Sequence, residues 1–209
     1  MFATKKLLLT VVPLALLVSL PAVAGEKSKN QEKGFIRLFN GKDFTGWKIS
    51  DNGKFRIEDG MIVANGERAH LFTVREFKNF EFRAEVMTTP GSNSGIYFHT
   101  KYQETGWPTI GHESQVNVTH GDPVKTGSLY NVKKLFKTPA KDNQWWTQTI
   151  IVQGQRIIIK INDETVIDYT EPKDVKGPRK LSKGAFALQA HDPKSVVYYR
   201  NIRVKLLPD

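Results

Sequence analysis

The sequence predicts an all-β protein, a jelly-roll sandwich of two packed antiparallel sheets. Two observations carry this. Short apolar or alternating runs recur along the chain, separated by turn signals, and no stretch sustains a helical period over three turns. With 209 residues, 39% hydrophobic and 25% charged, the chain can build a core of ordinary size and is not of disordered composition.

From Phe35 onward the turns bound each element in order. A strand at 35–39 stops at Asn40-Gly41, one at 45–50 at Asp51-Asn52-Gly53, one at 54–58 at Asp59-Gly60, and one at 61–64 at Asn65-Gly66. Strands at 69–74 and 79–88 follow, the latter closed by Pro90-Gly91. Then come 94–100 and 112–118, ended by Gly121-Asp122-Pro123, and a strand expected at 127–131. Strands at 145–153, 156–161 and 164–169 come next. In this group Ile157, Ile159 and Ile161 alternate before the Asn162-Asp163 turn, and Val166–Tyr169 return. Gly177-Pro178 precedes 183–190, and the long, mostly alternating run 195–206 ties the C-terminus into a sheet.

Residues 1–24 are of another kind. Lys5 and Lys6 precede the apolar run Leu7–Leu20, and Ala22-Val23-Ala24 has the small-x-small pattern of a cleavage site. The run falls short of the ~20 residues a spanning helix needs. The expectation is a signal peptide over 1–24, a polar leader over 25–34 and one domain over 35–209. That makes the protein exported, periplasmic or secreted after cleavage near Ala24, with no membrane anchor in the mature chain. Losing Lys5 and Lys6 lowers the charge from +10 to +8. The basic residues are spread among many strands, the densest pairs being Lys133-Lys134 and Arg179-Lys180. A nucleic-acid stripe would cluster them, so no nucleic-acid partner is expected. The absence of cysteine excludes a disulfide scaffold, thiolate metal sites and a cysteine nucleophile.

Residues two apart in a strand share a face. On that basis Asn93, Tyr97 and His99 share one face, with Ile96 and Phe98 inward, and Glu113, Gln115 and Asn117 share another. Gln189 and His191 point away from Phe186 and Leu188, and the 125–130 loop supplies Thr126 and Tyr130. Amides, a carboxylate, histidines and aromatic faces such as Trp107, Tyr97 and Tyr130 are the chemistry that binds sugar hydroxyls and rings. The bland alternative is an ordinary solvated sheet face, with Gln189 a strand bridge and Tyr130 a core aromatic. His70 and His120 read as surface or loop residues, and Trp145-Trp146 as core plus platform. His99, His112 and His191 with Glu113 offer donors suited to several divalent ions. Without a close-spaced His-x-His or His-x-x-x-His, no cofactor is predicted, a divalent metal remaining the open alternative.

These residues resemble a known family. Phe35-x-x-Leu38-Phe39-Asn40-Gly41-Lys42-Asp43-Phe44-x-Gly46-Trp47 is similar to its N-terminal signature. Asn93-Ser94-Gly95-Ile96-x-Phe98, Glu113-x-Gln115, Lys125–Tyr130, Gly184-x-x-x-Leu188-Gln189-x-His191 and Arg200-Asn201-Ile202 follow in its order. The chain thus resembles the 3-keto-disaccharide hydrolases, also described as the 3-keto-glucoside 1,2-lyase and 3-keto-2-hydroxy-glucal hydratase domain. The resemblance implies a concanavalin A-like fold and a 3-keto-glycoside substrate. His99 departs from it where members often have Arg, and His112 where they have an aromatic residue.

Ordinary glycosidases use two carboxyl groups, roughly 5–5.5 Å apart for retention and roughly 6.5–9.5 Å apart for inversion. Here Glu113 is followed at i+2 and i+4 by amides, and Asp122, Asp142 and Asp192 are loop candidates that the sequence does not place. A 3-keto sugar asks for less. Its ketone acidifies the C2 hydrogen, so a base, an enolate donor and an acid at the leaving oxygen suffice. Glu113 and His191 are expected to share the acid/base duties in either order. Asn93, Gln115, Gln189 and Tyr130 would hold hydroxyls or the enolate, and Tyr97, His99, Thr126 and Trp107 complete the substrate contacts. The competing expectation is a non-catalytic carbohydrate-binding jelly-roll module.

Overall fold

A computed structural model describes residues 32–51 and 53–209. The expected signal peptide and most of the polar leader lie outside the described residues. Glu32–Asp209 forms one compact unit of thirteen strands. In chain order these are β1 (Phe35–Arg37), β2 (Trp47–Ile49), β3 (Arg56–Glu58), β4 (Met61–Asn65), β5 (Ala69–Thr73), β6 (Phe80–Thr88) and β7 (Asn93–Thr100). They continue with β8 (His112–Asn117), β9 (Trp146–Gln153), β10 (Arg156–Ile161), β11 (Glu164–Thr170), β12 (Ala185–Ala190) and β13 (Val196–Leu206).

All pairings are antiparallel and make the two sheets of a jelly roll. The larger runs β11-β10-β9-β6-β13-β4-β3, with β1 on β13; the smaller runs β2-β5-β12-β7-β8. The larger sheet shows the alternation expected of a half-buried surface: in β6, Phe80, Phe82, Ala84 and Val86 are buried and the residues between them are not. On β13 the inward set changes from Val197 and Tyr199 to Ile202 and Val204. One extra residue, at Asn201 with φ 50°, makes this possible by shifting the register against β6 between Arg200 and Arg203. Phe186 of the smaller sheet enters this layer, its ring 4.5–4.7 Å from Phe77, Phe80 and Phe82.

Strands β5, β7, β8 and β12 of the smaller sheet are buried on both faces. Ile96, Phe98, Val116 and Leu188 pack into the core, while the opposite face carries Asn93, Tyr97, Glu113, Gln115 and Gln189, all buried too. A polar face stays buried because connecting loops roof it, and that roof makes the site.

The N-terminal signature serves the fold. The Asn40 carboxamide oxygen accepts the Lys42 and Asp43 amides, and Trp47 Nε1–H donates to the Leu38 carbonyl at 2.7 Å. The expected strand at 127–131 is instead an irregular segment against the free edge of β8. Gly127 and Tyr130 N–H donate to the Gln115 and Glu113 carbonyls, and Gln115 N–H to the Ser128 carbonyl. Left-handed backbone at Gly127 (φ 90°) and Asn131 (φ 60°) turns the chain away before a ladder forms.

Candidate functional site

Strands β7 and β8 pair in register from Asn93↔Asn117 to Phe98↔His112, which places Tyr97 opposite Glu113 and Gly95 opposite Gln115. Next to them β12 brings Gln189. Over this floor lies a cavity of about 230 Å³, lined also by Asn93, Trp107, Asp122, Tyr130, Asn131, Arg179 and His191. Eight of the ten residues named from the sequence therefore meet at one place: Asn93, Tyr97, Trp107, Glu113, Gln115, Tyr130, Gln189 and His191.

Glu113 is the chemical centre. It is 4% exposed, and Gln189 Nε2–H donates to the Tyr97 hydroxyl at 2.9 Å and toward Glu113 Oε1 at 3.4 Å. The Tyr97 hydroxyl is left to donate to the Glu113 carboxyl. Burial pushes this carboxyl up to about 7, against the pull of Tyr97, the Arg179 charge and Gln189. A carboxyl near neutrality exchanges protons readily at physiological pH. Burial and the adjacent Glu113 push the Tyr97 phenol well above its ordinary value, so it stays a neutral donor.

His191 follows β12 on the cavity wall. Its Nδ1–H donates to Asp192 Oδ2 at 2.8 Å, leaving Nε2 to give or take a proton. Burial works to raise Asp192, but hydrogen bonds from Ser195, His191 and the Lys194 amide bring it down to about 2, so it stays ionised. Asn93 fixes the far end. Its Oδ1 accepts from Gln115 Nε2 at 3.1 Å, and its Nδ2–H donates to His120 Nδ1 at 3.2 Å. Trp107, 40% exposed, lies 5.3 Å from the His191 ring and 5.8 Å from the His70 ring, an apolar face at the mouth.

Two named residues are elsewhere. Thr126 is buried beyond the cavity, where its Oγ1 accepts the Asn117 amide at 2.8 Å and clasps the loop to β8. His99 sits on a bulge: β7 has one residue more than β12 between Tyr97 and Thr100, and His99 adopts φ 55°. Its ring turns to the sandwich edge beside Phe80, Nε2–H donating to the Lys78 carbonyl and Nδ1 accepting the Ser182 amide. His112 faces the opposite side from Glu113 and donates from Nε2 to Glu171 at 2.8 Å. The metal set His99, His112, His191 and Glu113 is therefore not assembled. Among the described residues, the His and carboxylate donors that do converge are His120, His191 and Asp192, within 4.8 Å of one another.

Four further contributors sit on loops without a period, which is why Asp122 and Asp192 could be named from the sequence only as unplaced loop acids, His120 only as a surface or loop residue, and Arg179 not at all as a site residue. Asp122 enters the cavity with Oδ1 accepting the Val124 amide and Oδ2 the Tyr130 hydroxyl at 3.3 Å. Arg179 lies on the β11–β12 connection, and Asp192 and His120 support His191 and Asn93. His70, read as a surface or loop residue, is instead buried on β5 under Trp107. Burial, with the Arg68 and His191 charges, pushes it down to about 3, and it is held neutral.

The sequence profile of the 3-keto-alpha-glucoside-1,2-lyase-like domain matches residues 34–205. The chain belongs to this family. The match to the 3-keto-alpha-glucoside-1,2-lyase-like domain thus takes in every cavity residue and every strand but for Leu206, the last residue of β13. Among similar proteins, a 3-keto-disaccharide hydrolase of Bacteroides thetaiotaomicron is 28% identical, over 83% of this chain and 79% of the relative. A crystal structure from Parabacteroides distasonis, provisionally named a glycosyl hydrolase, superposes with TM-score 0.73 at 25% identity, over 84% of this chain and 94% of that one. The carbohydrate-binding module CBM66 of Bacillus subtilis shares the fold at TM-score 0.58 and 15% identity, over 77% of this chain and 95% of that one.

Proposed function

We propose that this family member is an exported enzyme that cleaves 3-keto-glycosides. Glu113 removes the C2 proton, and the C–H electrons form a C2–C3 double bond while the ketone oxygen takes the negative charge. The enolate then re-forms the ketone, a C1–C2 double bond appears, and the C1–oxygen bond breaks. The leaving oxygen receives a proton from His191, whose Nδ1–H stays on Asp192. Water adds at C1, a proton returns to C2, and the net result is hydrolysis of the glycosidic bond.

The observation that carries this reading is the buried Glu113 carboxyl, poised near 7 among neutral donors at the floor of a cavity. The name of the Bacteroides relative supports the substrate class. Asp122 favours a second reading, hydrolysis of unoxidised glycosides by a carboxylate pair with Glu113. Both Asp122 oxygens already accept hydrogen bonds, which makes it the weaker partner. A binding module would explain the fold likeness to CBM66 but not a buried carboxyl held near neutrality at the floor of the cavity.

Trehalose or sucrose oxidised at C3 and the parent sugars separate these readings. The expected outcome is turnover of the oxidised sugar alone, with deuterium entering C2 in heavy water. Glu113→Gln should lower kcat by about three orders of magnitude or more, in line with loss of an essential base. Turnover of the parent sugar would favour the carboxylate pair, and binding without turnover the module.

A further inference from the structure

A C2 proton can be removed at neutral pH only if the charge that develops on the ketone oxygen has a donor waiting for it. Tyr97 and Gln189 are committed to Glu113, and Tyr130 to Asp122. Arg179 is not so committed. It lines the same cavity, and its guanidinium Nη1 is buried without a hydrogen-bond acceptor among the described residues. A charged donor withdrawn from water and left unpaired is costly unless a ligand completes it. Its charge already acts on Glu113, Tyr97 and Tyr130.

The loop that carries Arg179 is pinned on both sides of it. Gly111 N–H donates to the Pro178 carbonyl at 3.1 Å, and the Glu171 carboxylate accepts the Leu181 amide at 2.8 Å. Glu171 is itself held by His112, the residue next to Glu113 on β8 and facing the other way. One strand therefore presents the base on one face and, on the other, anchors the loop of the cation. Such coupling fixes the spacing of the two groups before substrate arrives, which is what an electrostatic catalyst requires.

Building on the reading above, we propose that Arg179 is a catalytic residue that donates to the C3 oxygen of the 3-keto sugar as it becomes an enolate. As Glu113 takes the C2 proton, the ketone π electrons move to that oxygen and the guanidinium N–H donates to the oxyanion; when the ketone re-forms and the C1–oxygen bond breaks, the electron pair departs on the leaving oxygen, His191 protonates it, and Arg179 returns to its resting state. The Arg179 proton is shared throughout and never transferred.

The test uses the wild-type chain, Arg179→Ala and Arg179→Lys on a neutral 3-keto-glucoside and on its 3-keto-glucuronoside counterpart. Arg179→Ala should lower kcat by about 100-fold or more while KM changes by less than about threefold, the size seen when one oxyanion donor is removed. C2 deuterium exchange should slow in parallel, free guanidinium should restore at least about tenfold of the lost rate, and Arg179→Lys should lie between. Arg179→Ala kcat within about threefold of wild type overturns the inference. So does a loss confined to KM, or one confined to the glucuronoside, which would make Arg179 a reader of acidic substituents. If Arg179→Ala does not fold, an unimpaired Arg179→Lys overturns it equally. Wild-type protein inactive on every 3-keto sugar overturns the proposed function itself; wild-type activity with an indifferent Arg179 overturns only this step.

Discussion

Glu113 is a carboxyl placed where a charge is disfavoured, and its cost is measurable without substrate. In the fold it holds its proton up to about 7, whereas its ordinary value is 4.5. The folded chain binds that proton more tightly than the unfolded chain, so Glu113 supports the fold at acid pH and progressively loses that support as pH rises from about 4.5 to about 7. Glu113→Gln keeps the shape and removes the titration. Thermal melts should therefore show the variant more stable than wild type by about 10 °C at pH 8, with the gain vanishing near pH 4. An equal difference at both pH values would mean that the carboxyl is not held up by burial. On the proposed mechanism the same group sets the activity profile, and kcat/KM is expected to rise through about 7 as Glu113 ionises.

At the scale of elements, the β7–β8 pair explains why a glycine stands beside Glu113. Gly95 is not in left-handed backbone; it is close-packed. A Cβ there would lie 2.2 Å from Glu113 Oε1 and 2.9 Å from its Cδ. The displaced atoms are the end of a flexible side chain, so Gly95→Ala should cost the fold little and the site a great deal. The melting temperature is expected to stay within about 3 °C of wild type while kcat falls about 100-fold or more, read by melts and single-substrate kinetics. Preserved kcat would show that Glu113 works from a different position. The same pair shows what alternation can reveal. It placed Asn93, Tyr97, Glu113 and Gln115 on one face because β7 and β8 run in unbroken register there. It misplaced His99 because the adjacent bulge is set by packing against β12, and a face-swapping residue leaves no mark in a period-two pattern. It took 127–131 for a strand because Leu129 and Tyr130 look the part, while Gly127 and Asn131 decide the backbone. Asp122, Arg179 and Asp192 belong to loops, whose approach to the cavity follows from long-range contacts rather than local sequence.

For the molecule as a whole, the two-sheet architecture separates stability from chemistry. One face of β7 and β8 carries Asn93, Tyr97, Glu113 and Gln115 toward the cavity while Ile96, Phe98 and Val116 on the other reach the core, so the same strands serve both through alternate residues. Phe186 on β12 is the core counterpart of Gln189. It is fully buried and stacks among three phenylalanines, Phe77 on the approach to β6 and Phe80 and Phe82 on it, so it joins the two layers. Truncating such a ring removes buried area and leaves a void that close-packed neighbours fill only in part, at a cost of about 3–5 kcal/mol. For a chain of this size Phe186→Ala should lower the melting temperature by about 10 °C. Yet its ring lies on the core side of the sheet, facing away from Glu113, and at 20 °C the folded fraction should keep close to the wild-type kcat on the proposed 3-keto-glycoside substrate. Gly95→Ala and Phe186→Ala thus make an opposed pair, one quiet in the melt and silent in the assay, the other unstable but active. If Phe186→Ala also lost kcat at a temperature where circular dichroism shows it folded, the two faces of the sheet would be mechanically linked, and the cavity would owe its geometry to the core rather than to the loops that roof it.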